Sequence, residues 1–241
     1  MSEMKFSVSD SAYKRSSTDY ISKALKRYVL ASGGTAETGE SGGRSYFIAY
    51  MSGEKAKSFK PLLEDKLADV IAVNYKYDYF KRYIRVGGLK PVEYELLLSA
   101  LIAADLEEDK RYAKTKLSGP VYAVDGSFNF TMKPLVDKWR DVVGYIPSYF
   151  APDQLKEFVS YIVSEKKGGR VYVMGGRVYD VNYNLLDRAY LTGGDDCRLL
   201  KEIILSSSGE VELSAPIPET DEYYLKQFFG DKIFFGKGYF C

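Results

Sequence analysis

The longest helical pattern in the sequence runs from Phe59 to Gly88, and we expect the fold to be organised around it. Pro61 suits a first helical turn, because its missing N–H would have no partner there. Gly87 and Gly88 can end a helix in a left-handed conformation. Apolar residues recur at helical spacing on more than one narrow face: Leu63, Leu67, Val70, Ile71, Val73, Tyr77, Phe80 and Ile84. This pattern predicts a central helix packed on two sides.

In the second half of this helix, basic residues alternate with tyrosines. Such a pattern can bind single-stranded nucleic acid, because the bases stack on the tyrosines. A solvated helix end with amphipathic tyrosines has the same sequence pattern, and we favour this interpretation. Asn74 interrupts the apolar stripe. It can be a polar anchor in the core or a ligand contact, but we favour a position at the edge of the buried face. The candidate interaction face consists of Tyr75, Tyr79, Arg82 and Tyr83.

The amino-acid composition excludes several classes of function. The 241 residues include no histidine, which excludes Ser-His-Asp and Cys-His catalysis and His-ligated zinc. Cys197 and Cys241 are the only cysteines, so we predict no metal, no cofactor and at most one disulfide. A formal net charge of +1 argues against a dedicated duplex-binding protein. The 22 tyrosines favour partly hydrated cores and protein interfaces.

The N-terminal part predicts a small βαβ unit. A strand at Lys5–Ser9 is followed by a helix at Thr18–Leu30 and a strand at Arg44–Met51. The stretch Ala31–Gly43 is rich in glycine and small polar residues and is interpreted as a mobile loop. The first residues contain no apolar secretory signal, and no apolar run is long enough to span a membrane, so we expect a cytoplasmic protein.

The rest of the chain predicts a helical middle and a second α/β unit. We expect helices over Pro91–Tyr112, from Pro134 and over Pro152–Ser164, with a hairpin at Val121–Met132 around Asp125-Gly126. The Gly168-Gly169 pair should end the preceding helix. It is followed by short strands, a helix that begins at Cys197 (CRLLKEIILSSS), a strand, a helix and a terminal strand. The fold class is α+β, with a mixed sheet in the C-terminal unit. The parts are 1–167 and 168–241, or a single compact domain.

Gly-Gly-Arg, followed one residue later by tyrosine, occurs three times. Paired glycines can direct N–H groups at an anion, and an arginine would add charge. A turn leading into a strand with an exposed arginine is the favoured interpretation. The candidate anion-binding residues are Gly168, Gly169, Arg170, Gly175, Gly176 and Arg177. Asp195 and Asp196 can hold a cation or, as we favour, cap the following helix, and Cys197 is expected to be buried and inert.

Several segments resemble the YtxC family of sporulation proteins of endospore-forming Firmicutes. They are KLADVIAVNYKYDYFKRYI, FNFTMKPLVDKWRDVV, DQLKEFVSYIV and the tail from LLKEIILSS through YYLKQFFGDKIFFGKGYFC. The resemblance covers nearly the whole chain and implies a cytoplasmic protein linked to sporulation, with no established biochemical activity and no catalytic residues to carry over. Members of that family often close with clustered cysteines, whereas GKGYFC keeps only Cys241.

Two functions follow as hypotheses. The first is a non-enzymatic, sporulation-associated protein that acts through a protein partner and neither binds nucleic acid nor spans a membrane. The alternative is a phosphate- or nucleotide-handling enzyme or sensor that uses the Gly-Gly-Arg turns. The alternative requires Arg170 or Arg177 to converge with carboxylates such as Asp195.

Overall fold

The computed structural model describes residues 3–236 and has the predicted α+β fold. The chain forms two compact units that do not follow chain order. The first consists of the chain up to Lys76 with Glu107–Val142, and the second of Tyr77–Leu106 with the chain from Val143 onward. The boundary predicted near Gly168 lies inside the second unit. In the described part of the chain, the helices are too short or too polar to cross a membrane.

Runs of helices and runs of strands follow one another along the chain. The helices are α1 Arg15–Ala31, α2 Gly53–Asp69, α3 Lys76–Tyr83, α4 Pro91–Ala103, α5 Leu106–Lys116, α6 Val124–Thr131, α7 Lys133–Tyr145, α8 Pro152–Ser164, α9 Arg198–Leu205 and α10 Glu219–Phe229. The strands are β1 Glu3–Ser11, β2 Thr35–Ser41, β3 Arg44–Ser52, β4 Val121–Ala123, β5 Gly168–Met174, β6 Arg177–Tyr179, β7 Leu185–Leu186, β8 Ser208–Leu213 and β9 Ile233–Phe235. A π-helical segment, Val70–Tyr75, joins α2 to α3.

The first unit contains a sheet with the strand order β2-β3-β1-β4. β1 runs antiparallel to β3 and parallel to β4. Alternate residues such as Phe6, Val8 and Phe47 are buried, and α1 and α2 pack against the sheet. This buried face ends in a polar cross-strand pair, Asp10 and Ser45, because the alternation of each strand continues past its last apolar residue.

The second unit contains a mixed sheet with the order β7-β6-β5-β8-β9. β6 is antiparallel to β5 and β7, whereas β5, β8 and β9 run parallel. One face carries buried aliphatic residues and packs on helices of the same unit: β8 on α8 and α10, and β6 on α9. The buried residues are Val171, Val173, Val178, Val211 and Leu213.

The predictions for two segments of the first unit were wrong. The expected mobile loop at 31–43 contains β2, which pairs with β3 along its length and ends in a tight turn where Gly42 and Gly43 have positive φ. Its side chains are mostly exposed, so the strand is formed by backbone pairing and leaves no apolar alternation in the sequence. The expected hairpin around Asp125-Gly126 is instead β4 followed by α6.

Tertiary contacts explain why α6 replaces the second strand of that hairpin. The Asp125 carboxylate accepts hydrogen bonds from the Gly126 N–H and from Ser11 Oγ, and it pairs with Arg44. Asp125 lies in the first turn of α6, where a carboxylate is favourable. Phe128 on that helix then lies 4.4 Å from the ring of Tyr75.

Other element boundaries also differ from the predicted ones. α2 begins at Gly53, so Pro61 lies inside it rather than at its start. The predicted helix over Pro91–Tyr112 divides into α4 and α5, and Gly168 and Gly169 belong to β5 rather than to a helix end. The segment NYNLLDRAYL was predicted to form short strands. It contains the two-residue strand β7, which is followed by a 3-10 helix, Arg188–Thr192. The end of the predicted terminal strand, with Cys241, lies outside the described residues.

Candidate interaction surface

The outer face of the second sheet carries a row of large side chains. In β5, Val171 and Val173 point inward, so Arg170 and Tyr172 point outward. Cross-strand pairing places one outward residue of every strand in this row, in the order Leu185, Tyr179, Tyr172, Glu212 and Phe234. Leu185 and Phe234 are 49% and 37% exposed. We call this row and its neighbours Arg170, Tyr183 and Glu210 the outer face.

Arg170 is held within the outer face by three side chains. Its Nε and Nη2 donate to Glu210 Oε2 at 3.2 Å, and its Nη1 donates to Glu212 Oε2 at 3.0 Å. The guanidinium carbon lies 3.6 Å from the centre of the Phe234 ring. The two carboxylates raise the pKa of Arg170. Two carboxylates therefore face one guanidinium in this cluster of β5 and β8, and the exposed Arg177 lies on the same side of the sheet in β6.

Tyr183 adds aromatic area to the same face. Its ring stacks on Tyr172 with 5.0 Å between centroids, and the side chain is 61% exposed. Its backbone has φ +59°, which is uncommon for an aromatic residue. The Asp180 carboxylate supports this turn by accepting N–H groups from Asn182 and Asn184. A glycine would be less strained here, whereas tyrosine contributes exposed ring surface.

The structure separates the candidate anion-binding residues into two places. Gly168 and Gly169 lie in β5, where a Cβ would come within 2.4 Å of the Ser207 carbonyl oxygen and 2.6 Å of the Val181 side chain, respectively. Close packing on the backbone favours glycine at position 168, whereas a side chain at position 169 would have to displace the side chain of Val181. Gly175 and Gly176 form the turn between β5 and β6, with φ of +55° and +70°. The exposed Arg177 then begins β6, opposite Met174.

The predicted interaction face on the central helix is brought together in part. The rings of Tyr79 and Tyr83 lie 4.7 Å apart, and the guanidinium of Arg82 lies 5.4 Å from the ring of Tyr83. Tyr83 is half exposed. Tyr75 belongs to the first unit instead, where it is buried and its hydroxyl donates to Asp10 Oδ1 at 2.8 Å. Burial raises the pKa of the Tyr75 hydroxyl.

Comparison with protein-family models, curated proteins and solved structures finds no match. The resemblance to the YtxC family therefore stays a prediction.

Asn74 lies in a buried polar cluster of the first unit, not at the edge of a buried face as predicted. Its Oδ1 accepts a hydrogen bond from Lys14 Nζ at 3.1 Å and one from Ser17 Oγ at 3.4 Å. Lys14 Nζ also lies 4.0 Å from the centre of the Tyr75 ring. Burial raises the pKa of Asp10 in the same cluster. The signal in the sequence was the polar residue within the apolar stripe, but its partners come from distant segments.

The TGGDDC segment forms the loop before α9. Asp195 and Asp196 are exposed, and Cys197 occupies the N-cap position in a left-handed conformation without a side-chain cap. The predicted capping by Asp195 or Asp196 is therefore wrong, because Asp221 Oδ1 accepts the Leu200 N–H at 3.0 Å instead.

The same loop contains Cys197 and two carboxylates, which are groups that can supply a reactive thiol or ligands for a metal. Burial raises the pKa of the Cys197 thiol to about 11, which disfavours the reactive thiolate. Within residues 3–236, histidine, cysteine and carboxylate side chains do not gather in threes that could hold a metal ion.

Proposed function

We propose that this chain acts by binding a partner protein, and that a helix of that partner covers the outer face of the second sheet. The single observation that carries the proposal is the row Leu185, Tyr179, Tyr172, Glu212 and Phe234, which crosses all five strands. Its residues are half-buried or exposed, whereas the other face of the sheet packs on α8, α9 and α10. Aromatic residues on an exposed contiguous surface are typical of protein interfaces.

The biological setting in this proposal comes from the sequence. The resemblance to the YtxC family suggests a role in endospore formation and a cytoplasmic location, and the absence of histidine from the sequence disfavours the commonest acid–base chemistry. The proposal is therefore a non-enzymatic, sporulation-associated binding protein. Arg170 is less suited to the alternative phosphate or nucleotide function, since its guanidinium already pairs with Glu210 and Glu212.

Site-specific photocrosslinking tests this proposal. A photoreactive amino acid replaces Leu185 or Phe234 on the outer face, and Tyr161 on α8 provides a control position that is 60% exposed. We expect one protein to crosslink from both outer-face positions and not from position 161, in sporulating cells and not in vegetative cells. Equal crosslinking from all three positions, or from none, would contradict the proposal.

Purified components then test whether the contact depends on the tyrosines. For the crosslinked protein, Tyr172→Ser with Tyr179→Ser should weaken binding at least about tenfold, which corresponds to about 1.4 kcal/mol. Tyr161→Ser should change the affinity by less than about twofold, because substitutions outside an interface are nearly neutral. Isothermal titration calorimetry measures both. If phosphate or a nucleotide binds and no protein does, the alternative function replaces this one.

A further inference from the structure

The strand directions of the second sheet indicate what kind of element covers its outer face. β5, β8 and β9 run parallel within a mixed sheet, and sheets made entirely of parallel strands occur almost only with helices on both faces. In this unit, α8, α9 and α10 cover one face, and the row from Leu185 to Phe234 lies on the other. A partner strand would add at an edge of the sheet, whereas an amphipathic helix packs on a face.

The dimensions of the row fit a helix of ordinary length. Neighbouring strands lie about 4.8 Å apart, so a row across five strands is about 19 Å long. A helix of about 13 residues has the same length, at about 1.5 Å per residue. A helix of three to four turns therefore covers the row from Leu185 to Phe234.

The charges beside the row specify the chemistry of that helix. Glu210 and Glu212 face Arg170, and their side chains keep 48% and 26% exposure. Within the cluster of Arg170, Glu210 and Glu212, the carboxylates exceed the guanidinium by one negative charge. A lysine or arginine beside the apolar stripe of a helix would complement this excess, and a glutamate there would be repelled.

We infer that the outer face of the second sheet binds an amphipathic helix of the partner protein, with a lysine or arginine placed over Glu210 and Glu212. This inference rests on the proposed function, because it names the element that the partner uses. It is separable from that function, since a partner can cover the same face without a basic helix.

Three synthetic peptides and the full-length protein test the inference. The first peptide is an amphipathic helix of about four turns with a leucine stripe and two flanking lysines. The second has glutamates in place of the lysines, and the third has the composition of the first in an order that removes the stripe. Fluorescence anisotropy measures affinity, and amide chemical shifts locate the binding. Glu210→Gln with Glu212→Gln removes the negative charge, and Glu157→Gln on the exposed side of α8 is the matched control.

We expect the lysine peptide to bind at least about tenfold more tightly than the glutamate peptide, a difference of about 1.4 kcal/mol. Its largest shifts should map to Tyr172, Tyr179 and Phe234. Neutralising Glu210 and Glu212 leaves Arg170 uncompensated, so the preference should fall to about twofold or reverse. Glu157→Gln should leave the preference unchanged.

Four outcomes would overturn the inference. Equal affinity for the lysine and glutamate peptides at the outer face would do so, and so would equal binding of the peptide without a stripe. A crosslinked partner that adds a strand to a sheet edge would also overturn it while leaving a protein-binding function. Dimerisation of this chain through the outer face, measured by sedimentation, would replace the partner helix with a second copy. Failure of crosslinking at Leu185 and Phe234 would instead remove the proposed function itself.

Discussion

Lys76 Nζ lies 2.7 Å from Asp109 Oδ2, and neither side chain is exposed to solvent. Trp139 Nε1 donates to the same carboxylate oxygen at 2.8 Å, and Lys138 lies 2.9 Å from the other oxygen. This carboxylate of α5 connects Lys76, the first residue of α3, to α7 within the first unit. Its position explains why a lysine can be buried in the helix that the sequence places at the centre of the fold.

Lys76→Met should lower the free energy of unfolding by about 3–5 kcal/mol, because it removes one partner of a buried ion pair. The measurement is urea denaturation followed by circular dichroism. Lys133→Met is the matched control, since Lys133 pairs with Asp137 at 2.7 Å but is 81% exposed. An exposed pair contributes less than about 1 kcal/mol, so equal losses in the two variants would contradict the prediction.

Pro61→Ala should raise the free energy of unfolding by about 1–3 kcal/mol. Proline inside α2 removes one hydrogen bond of the helix and crowds the preceding turn, and alanine restores both. Part of this gain is offset because proline also restricts the unfolded chain. Thermal and urea denaturation measure the change, and the neighbouring Lys60→Ala should stay within about 0.5 kcal/mol. A loss of stability in Pro61→Ala would show that the helix depends on the proline.

Gly88→Ala should destabilise the second unit more than Gly175→Ala. Both glycines have positive φ, which costs an alanine about 1–2 kcal/mol. At Gly88, the Cβ would also lie 2.7 Å from the Phe150 carbonyl oxygen, whereas at Gly175 it would meet open space. Comparison of the two urea midpoints separates steric cost from backbone strain. Equal midpoints would mean that the segment around Phe150 moves without cost.

Stability should fall as pH rises from about 4.5 to about 7, because of Glu202. Burial raises the pKa of this carboxyl from 4.5 to about 7, although its Oε2 accepts the Ala189 N–H at 2.6 Å. The folded state therefore binds a proton that the unfolded state releases between these pH values, and unfolding is favoured as the pH rises. Glu202→Gln should remove this slope and increase stability at pH 7 by a few kcal/mol, on the order given by about 1.4 kcal/mol per pKa unit.

Lys166 provides the control for that pH profile. Burial lowers the pKa of this amine to about 7, and Nζ donates to the carbonyl oxygens of Ile203 and Ile204 at the end of α9. Its unfolded form keeps the proton up to about 10.5, so its contribution makes stability rise between about pH 7 and 10.5. Lys166→Met should flatten the profile above pH 7 and leave the slope below pH 7 intact. Loss of both slopes in either variant would contradict the assignment.

Local sequence signals predicted some elements well. α8 spans Pro152–Ser164 as predicted, because a proline at the first turn and an apolar stripe at helical spacing are both local. β3 was predicted from its β-branched and aromatic residues. By contrast, β2 is formed by backbone pairing with β3, and α6 depends on contacts of Asp125 with Ser11 and Arg44. Neither set of partners is visible in the segment itself.

The candidate interaction surface could be predicted only in its parts. The sequence drew attention to Arg170 and to the many tyrosines, but it suggested an anion site and placed Tyr75 on an exposed face. Strand register, which the sequence does not show, placed Glu210 and Glu212 beside Arg170 and aligned Tyr172 with Tyr179 on the same side of the sheet. Tyr75 was buried by its contact with Asp10, which lies 65 positions away in the chain.

Local sequence patterns are enough to predict the α+β fold and the segments that carry apolar stripes, because helix periodicity, strand alternation and turn residues act over a few positions. The excess of tyrosine and the absence of histidine were likewise fixed before folding. Contacts made on folding establish which strands pair, which polar residues are buried and which aromatic residues share an exposed face. These properties depend on contacts between distant segments, whose free energy is gained only when the sheet and its helices assemble.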